Sequence, residues 1–344
     1  MAPGRSGFKQ PKVGESQQGP DAIGELLEHQ MDKFRGWCHN YSLLSSITTA
    51  AILSGSRAAP HICGRSSSLK PITDWGNNPT NLELQVYEPN RLAKHPAIIL
   101  ALHICGSSGP EYAEFTNYNS LADQYGFVVL YPSTKNDFNC WDGATNATLT
   151  RDGGGDSTGL ANMVRWAIVT YQGGSSNHRY ATFIVGSSSG CMMVNLMCAA
   201  YPDLFAAASC YSGVPVGCIA GSPGSSPQEA DPACPEGRII LSGARWAAWV
   251  HSIDPGYRGP YPRIQLWHGA VDPLISVTNL GEELKQWSYV FDIEFSHNET
   301  DVPGVGYTKM VYGNGTRLLG YLAEWAGHPV PVDPTVDLKW FGIL

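Results

Sequence analysis

The chain has 344 residues, 43% hydrophobic and 15% charged, with 38 glycines and 24 prolines. That is enough apolar material for a full-sized core, in one large domain or two smaller ones, and it excludes a disordered, solvating chain. Lys and Arg total 22 against 30 Asp and Glu, a net charge of −8 with no basic stripe for nucleic acid, and no apolar run reaches the ~20 residues that cross a bilayer.

Residues 1–30 are polar and punctuated by Gly, Pro and Gln, and read as a disordered stretch or a gene-model extension. Met31 opens a different pattern: basic Lys33 and Arg35, a moderately apolar stretch from Tyr41 to Leu53, then small Ser56 and Ala58 around Arg57. This is the layout of a secretory signal peptide over 31–58. It predicts a secreted, extracellular protein with a linker over 59–68 and one folded domain over 69–344.

Within that domain Leu82, Leu84 and Val86 alternate with polar neighbours as a half-buried strand does. Ala97–Leu102 and Phe127–Tyr131 are continuous apolar runs suited to strands covered on both faces, the second stopped by Pro132. Tyr112–Tyr125 has helical spacing, and Asp156 and Ser157 are placed to cap a helix to about Tyr171. Strand Tyr180–Val185, helix Gly190–Ala200 and strand Phe205–Cys210 follow, then a Gly-, Ser-, Pro- and Cys-rich surface excursion over Gly213–Gly237. Strands at Arg263–Trp267 and Tyr307–Tyr312 flank a helix near Leu280–Tyr289. Strands alternating with helices predict an α/β fold, a mostly parallel central sheet with helices on both faces.

None of the nine cysteines has the spacing of a zinc site, and neither a P-loop nor an H-E-x-x-H occurs, so no metal and no cofactor is predicted. Cys105–Cys140 and Cys218–Cys234 are the expected disulfides; Cys191 and Cys198, in an apolar helix, are expected to be buried thiols. Sequons at Asn146, Asn298 and Asn314 mark expected surface glycosylation, while Pro79 disqualifies Asn78.

The sharpest signal is Gly186-Ser187-Ser188-Ser189-Gly190, a G-x-S-x-G between an apolar strand and an apolar helix. In that context it is a nucleophile elbow: a strained turn presents Ser188 at the carboxyl edge of the sheet, the glycines let strand and helix approach, and the Ser189 amide points at a developing oxyanion. Such folds order their triad serine, acid, histidine along the chain. His328, in Trp325-Ala326-Gly327-His328-Pro329, follows the last strand-like segment and is the expected base. Asp272 leaves a strand at Gly269-Ala270-Val271-Asp272-Pro273 and is the expected acid, ahead of Asp254 and Asp301; His268, at the end of that strand, reads as structural. The loop His103-Ile104-Cys105-Gly106, after an early buried strand, is expected to supply a second oxyanion amide from Cys105, braced by the bridge to Cys140, with Trp141 lining the cleft.

Several blocks in order extend the signal: Asp74-Trp75-Gly76-Asn77-Asn78-Pro79, Cys140-Trp141-Asp142, Gly153-Gly154-Gly155-Asp156-Ser157, the elbow with Met192-Met193-Val194-Asn195, Tyr201-Pro202-Asp203-Leu204-Phe205, Tyr211-Ser212-Gly213, Trp267-His268-Gly269 with Asp272, Gly327-His328, and Trp340-Phe341-Gly342. Together they resemble the secreted acetylxylan esterases and type B feruloyl esterases of carbohydrate esterase family one, allied to the polyhydroxybutyrate depolymerase group. The resemblance implies an α/β-hydrolase fold, a triad of Ser188, Asp272 and His328, and an oxyanion amide at Cys105. Ile104 departs from it where an aromatic residue is frequent, as do Cys191, Cys198 and Cys210 where small or aliphatic residues are. The expected activity is deacetylation of acetylated xylan, or related plant cell-wall polysaccharide, by a monomer with no nucleic-acid or membrane partner. Cleavage of feruloyl esters is the runner-up, and a non-catalytic carbohydrate-binding homologue the alternative from another class.

Overall fold

The computed structural model describes residues 68–174 and 181–344. The expected extension, the expected leader, all but the end of the linker, Cys38 and Cys63 lie outside the described residues.

The strands are β1 (Leu69–Ile72), β2 (Glu83–Tyr87), β3 (Ile98–Leu102), β4 (Val128–Ser133), β5 (Thr182–Ser187), β6 (Ala207–Tyr211), β7 (Arg263–Gly269), β8 (Phe295–Thr300), β9 (Tyr307–Tyr312) and β10 (Leu318–Ala323). They form one sheet in the order β1-β2-β4-β3-β5-β6-β7-β10-β9-β8. The stretch from β4 to β10 is parallel, and β1-β2 and β9-β8 join its two sides antiparallel. The helices are α1 (Gly109–Thr116), α2 (Tyr118–Tyr125), α3 (Asp156–Gln172), α4 (Ser189–Ala200), α5 (Gly243–Ile253), α6 (Thr278–Phe291) and α7 (Pro334–Phe341).

The side-chain alternation of strands sorts the core into two layers. Ile98, Leu100 and Leu102 pack on one face with Leu160, Val164, Met193 and Trp287 of α3, α4 and α6, whereas Ile99 and Ala101 face Tyr112, Tyr118 and Phe341 of α1, α2 and α7. This is the predicted doubly covered parallel sheet.

Several local expectations are corrected. The helix expected over Tyr112–Tyr125 is two helices, because Asn117 turns left-handed (φ 56°), a conformation asparagine tolerates. Pro132 does not stop β4, which continues to Ser133 beyond Leu130, the last residue that β3 pairs; there a missing N–H is tolerated. Gly213–Gly237 is not a mere surface excursion. Val214, Cys218, Ile219 and Cys234 are buried with Trp246 and Ile275 in a third apolar cluster.

Among the described residues, three buried carboxyls are held above their ordinary range. Asp337 accepts hydrogen bonds from Tyr211 (2.8 Å), Gln265 (2.7 Å) and Tyr118; Asp156 accepts from the Asp142 amide (3.0 Å); Glu283 accepts from Asn195 (2.5 Å). Burial pushes Asp337 and Asp156 up to about 6 and Glu283 up to about 7. The folded chain therefore keeps protons that the unfolded chain releases between about pH 4 and these values, so stability falls as pH rises through that window. The thermal midpoint is expected to be several degrees higher at pH 5 than at pH 8 by calorimetry, and Asp337→Asn to flatten the slope. A midpoint that rises from pH 5 to pH 8 contradicts this.

Candidate active site

The elbow sits where β5 turns into α4. Ser188 has φ 54° and ψ −121°, a conformation strained for a residue with a side chain. The turn closes only because its flanks lack side chains: a Cβ on Gly186 would lie 2.4 Å from the Gly190 carbonyl oxygen, and a Cβ on Gly190 2.3 Å from that of Leu102. The Ser188 amide donates to the Tyr211 carbonyl at 2.8 Å, tying the elbow to β6.

The other two side chains come from neighbouring parallel strands. Asp272 lies in the loop after β7 and His328 in the loop after β10. Main-chain bonds Ala270 N to Ala323 O (2.8 Å) and Val271 N to Ala326 O (3.2 Å) zip the two loops together. His328 Nε2 is 2.8 Å from Ser188 Oγ and its Nδ1 is 2.7 Å from Asp272 Oδ2. Asp272 Oδ1 accepts the amides of Leu274 (2.9 Å) and Ile275 (2.8 Å), which fixes the carboxylate plane. Ser188 is 8% exposed, and the His328 and Asp272 side chains 6% and 0%. Three residues separated by as much as 140 positions thus form one hydrogen-bonded chain. Burial alone opposes ionisation of Asp272, but the donors His268 and His328 outweigh it and hold this carboxyl well below its ordinary range. The lesser candidates are engaged elsewhere: Asp254 is 3.3 Å from Arg151, and Asp301 accepts the Gly306 amide at 3.0 Å.

His103-Ile104-Cys105-Gly106 packs against the start of α4 and is braced from several sides. Cys105 is bonded to Cys140, the Gly106 amide donates to the Phe138 carbonyl (2.9 Å), and Trp141 Nε1 donates to the His103 carbonyl (2.9 Å). Burial lowers the His103 pKa to about 4, so its ring is neutral; Nδ1 donates to the Ile104 carbonyl (2.7 Å) and Nε2 accepts the Thr134 amide (3.3 Å). The Ser189 amide is the first of α4 and has no acceptor within the helix.

Two expectations about this region fail. Trp141 does not line a cleft: it is 1% exposed and lies tilted against His103, ring centroids 4.8 Å apart, where it braces the loop. Cys191 is not a thiol. It lies in the first turn of the helix packed beside β6, with its Cα 4.6 Å from that of Cys210, and the two are bonded. Cys218 is bonded to Cys234, and Cys198 remains a free, buried thiol whose pKa burial pushes up. Among the described residues, the one cluster of potential metal ligands is Cys191, Cys210 and Glu283, and the disulfide removes both thiolates. His268 is the residue near the acid that sequence reasoning set aside. Its ring is buried, 3.4 Å from Asp272 Oδ2; the visible signal was its place four residues before the acid.

Comparison with known proteins gives the chain its relatives. Residues 82–226 match the family model described as Esterase PHB depolymerase. The chain is 46% identical over 277 residues to feruloyl esterase B of Talaromyces funiculosus, covering 80% of this chain and 77% of that protein. It is 42% identical over 290 residues to acetylxylan esterase A of Aspergillus ficuum, covering 83% and 92% respectively. The solved acetyl xylan esterase from Aspergillus awamori superposes with a TM-score of 0.76 at 40% identity, over 80% of this chain and 100% of that one. The chain belongs to the Esterase PHB depolymerase family, an α/β-hydrolase group of carboxylic ester hydrolases to which feruloyl esterase B and acetylxylan esterase A are its relatives.

Proposed function

We propose that the protein is a secreted serine esterase that removes acetyl groups from acetylated xylan, with Ser188 as nucleophile, His328 as base and acid, and Asp272 as the group that orients and stabilises His328. The observation that carries this is the unbroken contact from Ser188 Oγ through His328 to Asp272 Oδ2, at 2.8 and 2.7 Å. His328 Nε2 takes the Ser188 proton as Oγ attacks the ester carbonyl. The carbonyl oxygen becomes an oxyanion held by the Ser189 and Cys105 amides. Collapse breaks the ester C–O bond, His328 gives its proton to the departing sugar hydroxyl, and the acetyl group stays on Ser188. Water, deprotonated by His328, then attacks this acyl-enzyme and releases acetate.

Secretion is supported by the three disulfides and by the leader-like pattern over 31–58. Glycosylation is proposed at Asn146, Asn298 and Asn314, whose side chains are exposed. The working unit is proposed to be the monomer, since all three side chains come from one chain.

Relatives bearing both names leave feruloyl ester cleavage as the competing reading, and feruloyl esterase B is the more similar at 46% against 42% identity. The two activities share every step and differ in the acyl pocket. The purified enzyme is expected to turn over acetylated xylan with a higher kcat/KM than methyl ferulate; the reverse order would replace the acetyl reading by the feruloyl one.

A further inference from the structure

Asp272 has a second imidazole behind it. His268 closes β7 with its side chain wholly buried. Its Nε2 is 3.0 Å from the Ile275 carbonyl oxygen, which can only accept, so Nε2 carries a proton. The same nitrogen lies 3.4 Å from Asp272 Oδ2, the oxygen that receives His328 Nδ1 at 2.7 Å. Asp272 Oδ1 is fully occupied by the Leu274 and Ile275 amides. Two imidazoles therefore address one carboxylate oxygen. At the far side of the ring, His268 Nδ1 is buried with no hydrogen-bond partner.

Resting on the roles assigned above to Ser188, His328 and Asp272, we propose that His268 is a positioning residue: the Nε2–H that it gives to the Ile275 carbonyl also sets its positive end 3.4 Å from Asp272 Oδ2, so the carboxylate holds the His328 imidazolium less tightly. An N–H that sets its positive end near Oδ2 disperses negative charge that would otherwise stabilise protonated His328. A protonated His268 acts in the same direction, by repelling the imidazolium. The groups facing His268 are Asp272 from its own loop, His328 reached through that carboxylate, and Glu283 from α6. Burial pushes Glu283 up to about 7, so it keeps its proton through the acid range and adds no charge there.

The test is the pH dependence of kcat/KM on a small soluble acetyl ester. His268→Leu and His268→Phe, neither of which can donate, are expected to move the acid limb upward by about one pH unit. His268→Gln, which keeps an N–H at this end, is expected to restore most of that shift. A limb that stays in place while the plateau falls would mean that His268 only supports the fold, and a limb that moves downward would reverse the sign; either result overturns the proposal. Should neither apolar variant fold, nitrogen NMR of the histidine-labelled wild type decides. The His268 ring signals are expected to shift as His328 titrates, and signals indifferent to that titration overturn the proposal. Ser188→Ala separates the two levels: if it is inactive while the limb is unmoved, only the role of His268 fails, and if it stays active, the reading beneath it fails.

Discussion

Ser188→Ala is expected to lower kcat by ~10⁴-fold or more while leaving the thermal midpoint nearly unchanged. The hydroxyl contributes little to packing: it is one small atom whose bond is to His328. The strained turn survives, because the main-chain bond from residue 188 to Tyr211 and the close approach at Gly186 and Gly190 do not involve the side chain. What disappears is the atom proposed to form the acyl-enzyme. The residual rate, set by the Ser189 and Cys105 amides acting on water attack, is expected to exceed the uncatalysed one. Steady-state kinetics beside a melting curve checks both halves. Full activity in the variant contradicts the assignment.

Asp272→Asn is expected to cost a similar factor, about 10⁴ in kcat, for a reason visible in the hydrogen bonds. The Leu274 and Ile275 amides need an acceptor, so asparagine must place its carbonyl oxygen where Oδ1 now sits. Its NH₂ then takes the place of Oδ2 and points at His328 Nδ1. That nitrogen can only accept there, which moves the ring proton to Nε2, the nitrogen that must accept the Ser188 proton. The same NH₂ also confronts the Nε2–H of His268, so the thermal midpoint is expected to fall as well. Kinetics with melting separates the effects: a folded variant of near-normal kcat would contradict the tautomer argument.

The parts of the fold legible in the sequence were those with a simple pattern. β3 read as a strand because it is buried on both faces and apolar throughout, and β5 because its centre Phe183–Val185 is. The elbow was legible because its steric demand leaves a short invariant shape, glycine on both sides of a strained serine. β8 was not, since Phe295–Thr300 lies exposed at the sheet edge and carries no apolar alternation. β10 was hidden by Gly320, which looks like a breaker but is needed because a Cβ there would meet Leu284 at 2.8 Å. α5 was left unassigned, and its Trp246 packs on the disulfide-held Cys218–Cys234 segment, a partner that exists only after folding. The same limit explains the site. Ser188, Asp272 and His328 could be picked by chain order, but Cys191 and Cys210 meet only because α4 crosses beside β6, and the burial of Trp141 depends on a loop 38 residues upstream.

The most direct test of the account is to treat the purified enzyme with an alkyl fluorophosphonate and locate the adduct by intact-mass and peptide mass spectrometry. The account predicts one adduct per chain, on the peptide containing Ser188, with complete loss of ester hydrolysis and no adduct in Ser188→Ala. A single adduct on another residue, or hydrolysis undiminished once Ser188 is fully labelled, would contradict it.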